Sequence, residues 1–418
     1  MNQPSGEPFD TSVEGHSGSW PEPPAKWSFS SLDEVESCAR RYSLGRATYS
    51  GIWEESGYPE PPVLARITGN VVHDCLEQIQ NGINSAPATL PRSERVVTAL
   101  QSFGGYSAVI SAAVEKEVSK LRTNPRSWDQ ASSIESELLH KVSEMRLDIQ
   151  IRLSRVPDLP TVPGALVEPT DAVLVEPTDG LRTSALALGP NPEVWLEAPS
   201  LRLVGKADLI VVKEESCEIR DHKTGEPKAE YEDQLRLYAL LWSKDSNKNP
   251  RGIPAARLVV EYREREQVFD SPSDEDLERL ESVVADRVSR ADAEVTTRPP
   301  EARPSPECVE KRCPVRHLCD EYWASEFSRP GSESGFYDLE LTEAVESGPR
   351  SWLMRSVHFT EPLLVRVKSP TQADAISESS DRGVRALNVR ITESEEGPTT
   401  VGLTRFSEVW PLVSSPTS

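Results

Sequence analysis

Apolar positions in the N-terminal third of the chain recur with the period of amphipathic helices. SSLDEVESCARRYSL and ARITGNVVHDCLEQIQNGI each predict one helix, and residues 105–122 and 132–154 predict two longer ones. Ser31 and Glu34 have the spacing of a capping box at the start of the first helix, which carries Cys38. This part of the chain is therefore predicted to be helical.

From residue 194 the pattern changes to the alternation that is typical of strands. VWLEA, LRLVGKADLIVV, CEIRDHK and ARLVVEYRER predict four strands. AEYEDQLRLYALLWSK predicts a helix between the third and fourth strands, and SDEDLERLESVVADRVSRA predicts another after the fourth. Strands that alternate with helices in this way indicate an α/β fold.

Changes in composition give the predicted boundaries around this α/β region. Residues 1–26 are rich in Pro, Gly, Ser and Glu and are predicted to be disordered. Residues 156–192 contain LVEPTD twice amid Pro and Gly, which predicts a flexible insertion within a domain that covers 27–327. A linker around RPGSESG is predicted at 328–336. Residues 337–418 predict a small all-β module, because PLLVRVKS, VRALNVRITES and TTVGLTRFSEVW alternate between Gly and Pro turns.

Charge and cysteine content restrict the class of protein. The chain has 46 basic and 68 acidic side chains, and its net charge of −22 argues against a surface that coats nucleic acid indiscriminately, though not against a local basic groove. The sequence contains no run of about 18 apolar residues, so no membrane span is predicted. The first residues lack the basic and apolar regions of a secretory signal. Six cysteines in 418 residues do not indicate a disulfide framework. A cytoplasmic protein with reduced thiols is expected.

Candidate chemistry is concentrated in the segment GKADLIVVKEESCEIRDHKTG. If this segment folds as a hairpin about its Glu-Glu pair, Asp208 lies opposite Asp221, with Cβ atoms about 4.5–5.5 Å apart. Lys223 then projects from the same face as Asp221. Two ionised carboxylates this close repel each other, and a divalent cation would relieve the repulsion. The alternative is a surface hairpin with an ordinary Asp–Lys pair.

A cation in such a site supplies most of what phosphodiester hydrolysis requires. Mg²⁺ can lower the pKa of a bound water, hold phosphate oxygens and neutralise the charge that develops on them. A nearby lysine can orient the attacking water or stabilise the pentavalent phosphate electrostatically. The hairpin therefore indicates a metal-dependent hydrolase of phosphodiesters.

The segments GKAD, IRDHKTG and QLRLYALL resemble the core of the RecB-like branch of the PD-(D/E)XK nuclease superfamily, and the resemblance covers residues 27–325. It implies a restriction-endonuclease-like core, which is a central mixed sheet flanked by helices, with Mg²⁺ or Mn²⁺ as cofactor. By this resemblance Asp208 and Asp221 are metal ligands and Lys223 is the catalytic lysine. The backbone carbonyl of His222 is implied as a further ligand.

The same resemblance assigns roles to residues outside the hairpin. Gln234 and Tyr238 match a Gln-x-x-x-Tyr motif that can position a DNA strand, since residues i and i+4 share one face of a helix. Without the resemblance, the tyrosine is a core aromatic and the glutamine faces solvent. His73 in GNVVHDCLE is implied as the third metal ligand, although a lone histidine on a helix is more often structural. Glu197, on the strand before GKAD, is a candidate accessory ligand, and Glu193 is the weaker choice.

Three cysteines lie close together in CVEKRCPVRHLC, at Cys308, Cys313 and Cys319. Thiolates at this spacing suit a metal ion or an iron–sulfur cluster, and either normally needs four ligands. RecB-like nucleases with a [4Fe–4S] cluster, of the AddB type and the CRISPR-associated exonuclease type, have one cysteine before the core and three after it. That resemblance implies Cys38 as the fourth ligand, although the first interval here is longer than the family's usual two residues. Zinc is the alternative cofactor, and unligated thiols are the third interpretation.

Contacts with nucleic acid are predicted at two further places. Four arginines either form a local positive path for phosphates or pair with surface carboxylates: Arg40, Arg41, Arg46 and Arg236. The C-terminal strands resemble an OB-fold in number and length, and OB-folds bind single strands through aromatic and basic side chains. The candidates for such contacts are Arg405, Phe406 and Trp410.

These features together predict a metal-dependent DNA nuclease that is exonuclease-like and acts on single strands or at ends. Its expected setting is DNA repair, recombination or defence against phage, including CRISPR systems, with a helicase or another subunit as partner and with no membrane. The alternative is a catalytically inactive DNA-binding or scaffold subunit that is stabilised by an iron–sulfur cluster or by zinc. An inactive site, however, has no reason to keep like charges together.

Overall fold

The structure is a computed structural model that describes residues 20–49, 57–158, 185–310, 313–328, 335–393, 397–404 and 406–412. Several predictions lie outside these residues in whole or in part. They are the disorder predicted for 1–26 up to residue 19, most of the insertion (159–184), most of the linker (329–334), and Arg405.

The described residues form helices and strands over most of their length. The α-helices are α1 (Phe29–Ser37), α2 (Ala39–Arg46), α3 (Leu64–Ser85), α4 (Arg92–Ser102), α5 (Tyr106–Thr123), α6 (Ala131–His140), α7 (Val142–Arg155), α8 (Glu230–Lys244), α9 (Asp274–Thr296), α10 (Glu307–Glu310), α11 (Asp320–Ala324) and α12 (Pro370–Glu378). The strands are β1 (Gly189–Ala198), β2 (Leu203–Val212), β3 (Cys217–His222), β4 (Ala255–Glu261), β5 (Glu266–Asp270), β6 (Tyr337–Gly348), β7 (Ser351–Arg355), β8 (Leu363–Arg366), β9 (Val384–Thr392), β10 (Thr400–Gly402) and β11 (Glu408–Pro411). Short 3₁₀ turns occur at Pro199–Leu201, Arg316–Leu318 and Glu326–Ser328.

The chain divides into two compact units. The sheet unit comprises residues 23–33 and 59–293, and the barrel unit comprises 1–22, 34–58 and 294–418. The predicted domain boundary at residue 327 does not coincide with this division, since the segment with three of the cysteines belongs to the barrel unit.

A five-stranded mixed sheet lies at the centre of the sheet unit, in the order β1-β2-β3-β4-β5. Only β3 and β4 run parallel, and all the other neighbours are antiparallel. A parallel pair needs a crossover connection, and α8 supplies it. The expected fold class, a mixed sheet with helices, is confirmed at this level.

Helices α3 to α7 form an apolar core of their own within the sheet unit. The long α3 buries Ile67, Val71, Cys75 and Ile79, which lie four residues apart on one face. The single helix predicted over 132–154 is wrong, since α6 and α7 are separate and meet at Lys141 (φ −91°, ψ 3°).

The break between α6 and α7 has a physical reason in the packing. Ile134 and Leu138 before the break and Met145 and Ile149 after it all enter the same core. The sequence period alone continues through Lys141, so that only these tertiary contacts reveal the interruption.

The predicted capping box is also three residues too late. Helix α1 begins at Phe29, and Ser28 and Ser31 bond reciprocally: the Ser31 amide donates to Ser28 Oγ (3.2 Å) and the Ser28 amide to Ser31 Oγ (2.8 Å). Cys38 therefore follows α1 instead of lying within it, and it caps α2 by accepting from the Arg41 amide (3.4 Å).

No single described helix is long and apolar enough to cross a membrane. Helices α4 and α5 meet the same length and composition criteria only as a pair, bent by 55° at the break between them.

Five strands of the barrel unit close into a barrel. The ring runs β6-β7-β8-β10-β9 and back to β6, because β10 pairs with both β8 and β9. Strand β11 pairs with the first half of β9, at residues 384–387. Helix α12 lies between β8 and β9 in the sequence. The apolar core of the barrel unit includes Leu339, Trp352, Val365, Val384 and Val401.

Candidate metal centre and active site

The hairpin of β2 and β3 has the predicted register. Leu209 pairs with Arg220 and Val212 with Cys217, and the Lys213 amide closes the turn on the Ser216 carbonyl (2.8 Å). Continuing this register by one residue brings Asp208 opposite Asp221, as expected from the sequence.

A second pairing brings another carboxylate to Asp208. On either side of Glu193, Pro192 pairs with Leu209 and Val194 with Ala207, so that Glu193 faces Asp208 across β1 and β2. The backbone of Glu193 is left-handed (φ 52°), which is uncommon for a residue with a Cβ. Such local strain concentrates at functional sites, where the surrounding structure holds it in place.

His73 on α3 completes a compact group of potential ligands. Its Nδ1 lies 3.3 Å from Glu193 Oε1 and 3.5 Å from Asp208 Oδ1. Among the described residues, His73, Glu193 and Asp208 form the one set of three or more His, Cys, Asp or Glu side chains whose ligand atoms all lie within 4.8 Å of each other. Lys206 also reaches this group, with Nζ 2.6 Å from Glu193 Oε2.

Charges within the group shift the pKa values of its members strongly. Burial disfavours the imidazolium of His73, but the carboxylates of Asp208 and Glu193 outweigh this effect and raise its pKa to about 10. Burial would raise the pKa of Asp208, but the His73 ring outweighs it and holds that pKa well below its usual range. Without a bound metal ion, His73 is therefore protonated at neutral pH and lies between the two carboxylates.

A second chain of contacts begins at Asp221. Its Oδ2 lies 2.7 Å from Lys223 Nζ, which donates to Gln234 Oε1 (3.0 Å). Gln234 Nε2 in turn donates to the hydroxyl of Tyr238 (2.7 Å). The structure thus brings together the predicted lysine and both residues of the predicted Gln-x-x-x-Tyr pair.

Burial and neighbouring charges together shift the pKa values along this series of contacts. Burial and the charge of Asp208 together raise the pKa of Asp221 to about 6, although Lys223 opposes the shift. Burial lowers the pKa of the Lys223 ammonium, but Asp221 outweighs this and leaves the pKa raised. The effect of Asp208 on Asp221 is the repulsion expected from their opposed positions.

Helix α8 comes close to β2 because Gly205 has no side chain. A Cβ at residue 205 would lie 2.9 Å from Tyr238 Cε1 and 2.8 Å from Leu241 Cδ1. Real Cβ atoms do not approach carbon atoms so closely. The glycine of GKAD therefore permits the helix that carries Gln234 and Tyr238 to lie against the strand that carries Asp208.

The donor set fits a divalent cation. One imidazole nitrogen and two carboxylates converge, and these are ligands that Mn²⁺ or Mg²⁺ accepts. The raised pKa of His73 supports this fit, because a proton there provides positive charge that a cation would otherwise supply.

Comparison with known proteins agrees with this site. The family model of the PD-(D/E)XK nuclease superfamily matches residues 26–320, which is more than half of the chain. The chain belongs to the PD-(D/E)XK nuclease superfamily. Members of this superfamily are typically nucleases that use divalent metals, so membership indicates a metal-dependent nuclease. No curated protein matches the chain.

Not every residue predicted from the sequence lies at the superfamily site. Glu197 lies four residues beyond Glu193 along β1, where it pairs with Val204, and its Oε2 lies 2.8 Å from Lys26 Nζ. Glu193, the weaker choice, takes its place.

His222 contacts Asp208 through its amide, which donates to Oδ2 (2.6 Å), and its imidazole Nδ1 lies 3.1 Å from Glu261 Oε2. Its carbonyl stays a prediction.

Two further residues at the site, Glu77 and Lys206, were not predicted from the sequence. Glu77 follows His73 by one helical turn, and burial together with the charge of Glu193 raises its pKa. The i, i+4 spacing of His73 and Glu77 was the available signal. The cation Lys206 lies in GKAD, two residues before Asp208, and alternation along the strand puts both on one face.

The four cysteines of the predicted cluster all belong to the barrel unit and none forms a disulfide. Cys308, Cys313 and Cys319 pack in one apolar cluster with Tyr49 and Tyr322, among others. Burial raises the pKa of Cys313 to about 11 and that of Cys319 to about 12. No three of the described cysteines bring their sulfurs within 4.8 Å of each other, whereas four thiolates around one Zn²⁺ would be about 3.8 Å apart.

The four candidate arginines are paired with carboxylates, which is the alternative left open by the sequence. Arg40 binds both carboxylate oxygens of Glu321 (2.9 and 2.7 Å). Arg41 and Arg46 both approach Glu34. Arg236 pairs with Glu232 one turn earlier on α8 (2.7 Å). Arg41 and Arg46 thus share one carboxylate, whereas Arg40 and Arg236 each have their own.

The aromatic candidates of the barrel unit differ in exposure. Trp410 stacks on the buried ring of His317, with centroids 4.2 Å apart, and its Nε1 donates to Glu408 Oε2 (3.0 Å). Phe406 is exposed. Of the two, the phenylalanine is the more exposed, and Trp410 is half-buried.

Proposed function

We propose that the protein is a metal-dependent deoxyribonuclease of the RecB-like branch that acts as an exonuclease on single strands or at DNA ends. The observation that carries this proposal is the convergence of His73, Glu193 and Asp208 beside the Asp221–Lys223 pair. The position of His73 on α3, ahead of the sheet in the sequence, and the Gln234–Tyr238 contact favour this branch.

The protein's own residues would divide the work of hydrolysis between them. His73, Glu193, Asp208 and Asp221 would hold Mg²⁺ or Mn²⁺, with the His222 carbonyl as a further ligand. The bound cation supplies Lewis acidity, which lowers the pKa of water and neutralises negative charge on the phosphate.

Lys223 is the residue best suited to assist the reaction itself. Asp221 and Gln234 fix its ammonium from two sides, so that its charge is preorganised. It can orient the water that adds across the P–O bond or stabilise the phosphoryl oxygens. The products would be one strand that ends in a phosphate and another that ends in a hydroxyl.

We further propose that Cys38, Cys308, Cys313 and Cys319 hold a [4Fe–4S] cluster, with Zn²⁺ as the alternative. All four are free thiols of one unit, and the three later cysteines share one apolar cluster. An iron–sulfur cluster is larger than one ion, so its ligands need not approach as closely as those of zinc. The role of the cluster would be structural.

We also propose that the barrel is OB-like and binds single-stranded DNA. Its ring order, in which the third and fifth strands pair in parallel and a helix precedes the fourth, supports this proposal. The exposed Phe406 would then be a base-stacking residue. Partners such as a helicase, and a role in repair, recombination or phage defence, are proposed from the branch resemblance.

Cleavage assays test the nuclease proposal directly. Protein purified without oxygen is incubated with end-labelled single- and double-stranded oligodeoxynucleotides in Mg²⁺ or Mn²⁺. Asp208→Asn, Asp221→Asn and Lys223→Ala should each lower the cleavage rate about 100-fold or more, because each removes a ligand or a preorganised charge. Asp286→Asn, on the exposed side of α9, is the control and should cleave like the wild type.

Two results would contradict these proposals. Wild-type protein that binds DNA but leaves it intact with every divalent metal would favour the inactive scaffold subunit. Protein with stoichiometric zinc and no iron, or without the broad visible absorbance of an iron–sulfur cluster, would exclude the cluster.

A further inference from the structure

An exposed tryptophan stands beside the candidate metal centre. Trp195 lies on β1, two residues after Glu193, and 51% of its surface is exposed. Its strand neighbours Val194 and Leu196 are buried on the opposite face. The indole therefore lies on the same side of β1 as Glu193, which faces Asp208.

One lysine lies over this indole, and a second pairs with the glutamate two residues further along β1. Lys206 is the cross-strand partner of Trp195, with Nζ 6.0 Å from the ring centroid. The same ammonium pairs with Glu193 (2.6 Å), and Lys26 pairs with Glu197 on the other side (2.8 Å). An ammonium has three donors, so each lysine keeps donors beyond the one used for its glutamate.

This arrangement differs from a scattered surface aromatic. Single exposed apolar residues are normal on protein surfaces and need no explanation. Trp195, however, combines a half-exposed ring, the ammonium of its cross-strand partner Lys206 and a candidate metal ligand two positions away. In a chain of net charge −22, the lysines also neutralise the two glutamates next to the ring.

We propose that Trp195 is a base-stacking subsite for a single-stranded nucleic acid, with Lys206 beside the phosphate that follows the stacked base. The inference rests on the proposed function and specifies its substrate class. Two residues of strand span about 6.6 Å, which is about two base steps of 3.4 Å. The stacked base would thus lie one or two nucleotides from the scissile phosphate.

The subsite would discriminate single strands from duplex interiors. Stacking on an indole requires a base face that is not covered by its neighbours, and bases inside a duplex do not offer one. Unpaired strands and frayed ends do. A flat aromatic ring accepts any base, so we expect little sequence preference.

Binding measurements without divalent metal test the subsite separately from cleavage. Affinity for a labelled single-stranded oligodeoxynucleotide is compared for wild type, Trp195→Ala, Trp195→Phe and Trp128→Ala. Trp128 is the matched control, because it is 50% exposed and lies outside the β1–β2 pair. Trp195→Ala should weaken binding about 5- to 150-fold, Trp195→Phe should retain most of the affinity, and Trp128→Ala should match the wild type.

An oligonucleotide that carries abasic sites throughout isolates the stacking contribution. Wild type and Trp195→Ala should bind this strand equally, since there is no base to stack, and the difference between the two strands gives the coupling. Equal losses on both strands, or an alanine variant that binds the normal strand like wild type, would overturn the subsite. Thermal unfolding of each variant checks that the fold is intact.

The outcomes separate this inference from the proposed function. Base-dependent binding through Trp195 without cleavage in any metal would keep the subsite and refute the nuclease. Cleavage that depends on Asp208 but not on Trp195, together with unchanged binding, would do the reverse. A surface that binds another protein instead would leave oligonucleotide affinity unchanged by Trp195→Ala.

Discussion

Arg152 and Lys223 are joined by a hydrogen bond from the guanidinium Nη2 to the lysine's backbone carbonyl (3.1 Å). Arg152 is 1% exposed, and its Nη1 donates to the carbonyl of Glu261 (2.9 Å) while Nε donates to Asp148 Oδ1 (2.8 Å). The Lys223 amide also donates to the Glu261 carbonyl (2.9 Å). A fully buried arginine thus fixes the backbone that carries the candidate catalytic lysine.

Arg152 is therefore expected to be a positioning residue. Arg152→Lys keeps the charge but loses the planar fork that binds both carbonyls, so that Lys223 shifts and kcat falls about 10- to 100-fold with little change in KM. Arg152→Ala should lower the free energy of unfolding by about 3–5 kcal/mol, because it leaves a buried carboxylate unpaired. Steady-state cleavage and urea unfolding measure the two effects.

Arg155→Lys is the matched control for this prediction. Arg155 also lies on α7 and donates to backbone carbonyls, but to those of Tyr262 and Arg263 (2.6 and 2.9 Å). Its substitution should leave kcat near the wild-type value. A wild-type kcat for Arg152→Lys, or an equal loss in both variants, would refute the positioning role.

Gly205→Ala should force α8 away from β2. The new methyl group would meet the rings and methyl groups of Tyr238 and Leu241, and overpacking of this kind costs about 1–3 kcal/mol. Cleavage should also fall, since Tyr238 holds Gln234.

Gly69→Ala is the control for this prediction. The nearest atom to its Cβ would be Thr224 Oγ1 at 3.5 Å, which is an ordinary contact, and helix propensity favours alanine. Unfolding curves of the two variants should shift in opposite directions.

The hairpin of β2 and β3 could be predicted from the sequence because its register depends on local features alone. Two alternating strands flank a short polar turn, and a turn centred on the Glu-Glu pair fixes every facing pair, including Asp208 and Asp221. The Gln234–Tyr238 contact was likewise predictable, since helix geometry brings residues four apart together.

The choice between Glu193 and Glu197 could not be made from the sequence. Both lie on one face of β1, and only the register with β2 distinguishes them. That register depends on the turn at Pro199–Leu201, after which Arg202 adopts a left-handed conformation (φ 51°). Because residue 202 is not a glycine, the sequence does not indicate this conformation.

The burial of charged side chains next to the site could not be predicted from the sequence either. Arg220 pairs with Glu218 and with Glu261 (3.2 Å), and both glutamates are fully buried. Alternating charged residues in a strand usually indicate a solvent-exposed face. Their burial follows from the parallel pairing of β3 with β4, which depends on the tertiary fold.

The contact between Gln234 and Lys223 should affect catalysis more than stability. Gln234→Leu removes one of the two groups that fix the ammonium, so kcat should fall about 3- to 10-fold, in line with about 0.5–1.5 kcal/mol for one hydrogen bond. Tyr238→Phe acts on Lys223 only through Gln234 and should have a smaller effect. Because the contacts form one chain, the double variant should lose less than the sum of the single losses. Additive losses of activity would mean that the residues act independently.

Binding of Mn²⁺ should release a proton from His73. The carboxylates of Asp208 and Glu193 raise the pKa of this imidazole to about 10, so the ring is protonated at neutral pH, whereas a metal ligand must be neutral. Affinity should therefore rise with pH by about one log unit per pH unit between pH 7 and 9. Calorimetry in buffers of different protonation enthalpy counts the protons released.

In the metal-free protein, the same pKa predicts that the free energy of unfolding falls as the pH rises. His73 has a higher pKa when folded than its ordinary value of 6.5, so its contribution to stability is full below pH 6.5 and is lost as the pH rises through about 10. Saturating Mn²⁺ replaces the proton and should remove this loss of stability. His73→Gln should abolish both pH dependences, whereas His140→Gln, on the exposed face of α6, should preserve them. A metal affinity that is constant from pH 7 to 9 would mean that His73 is not a ligand.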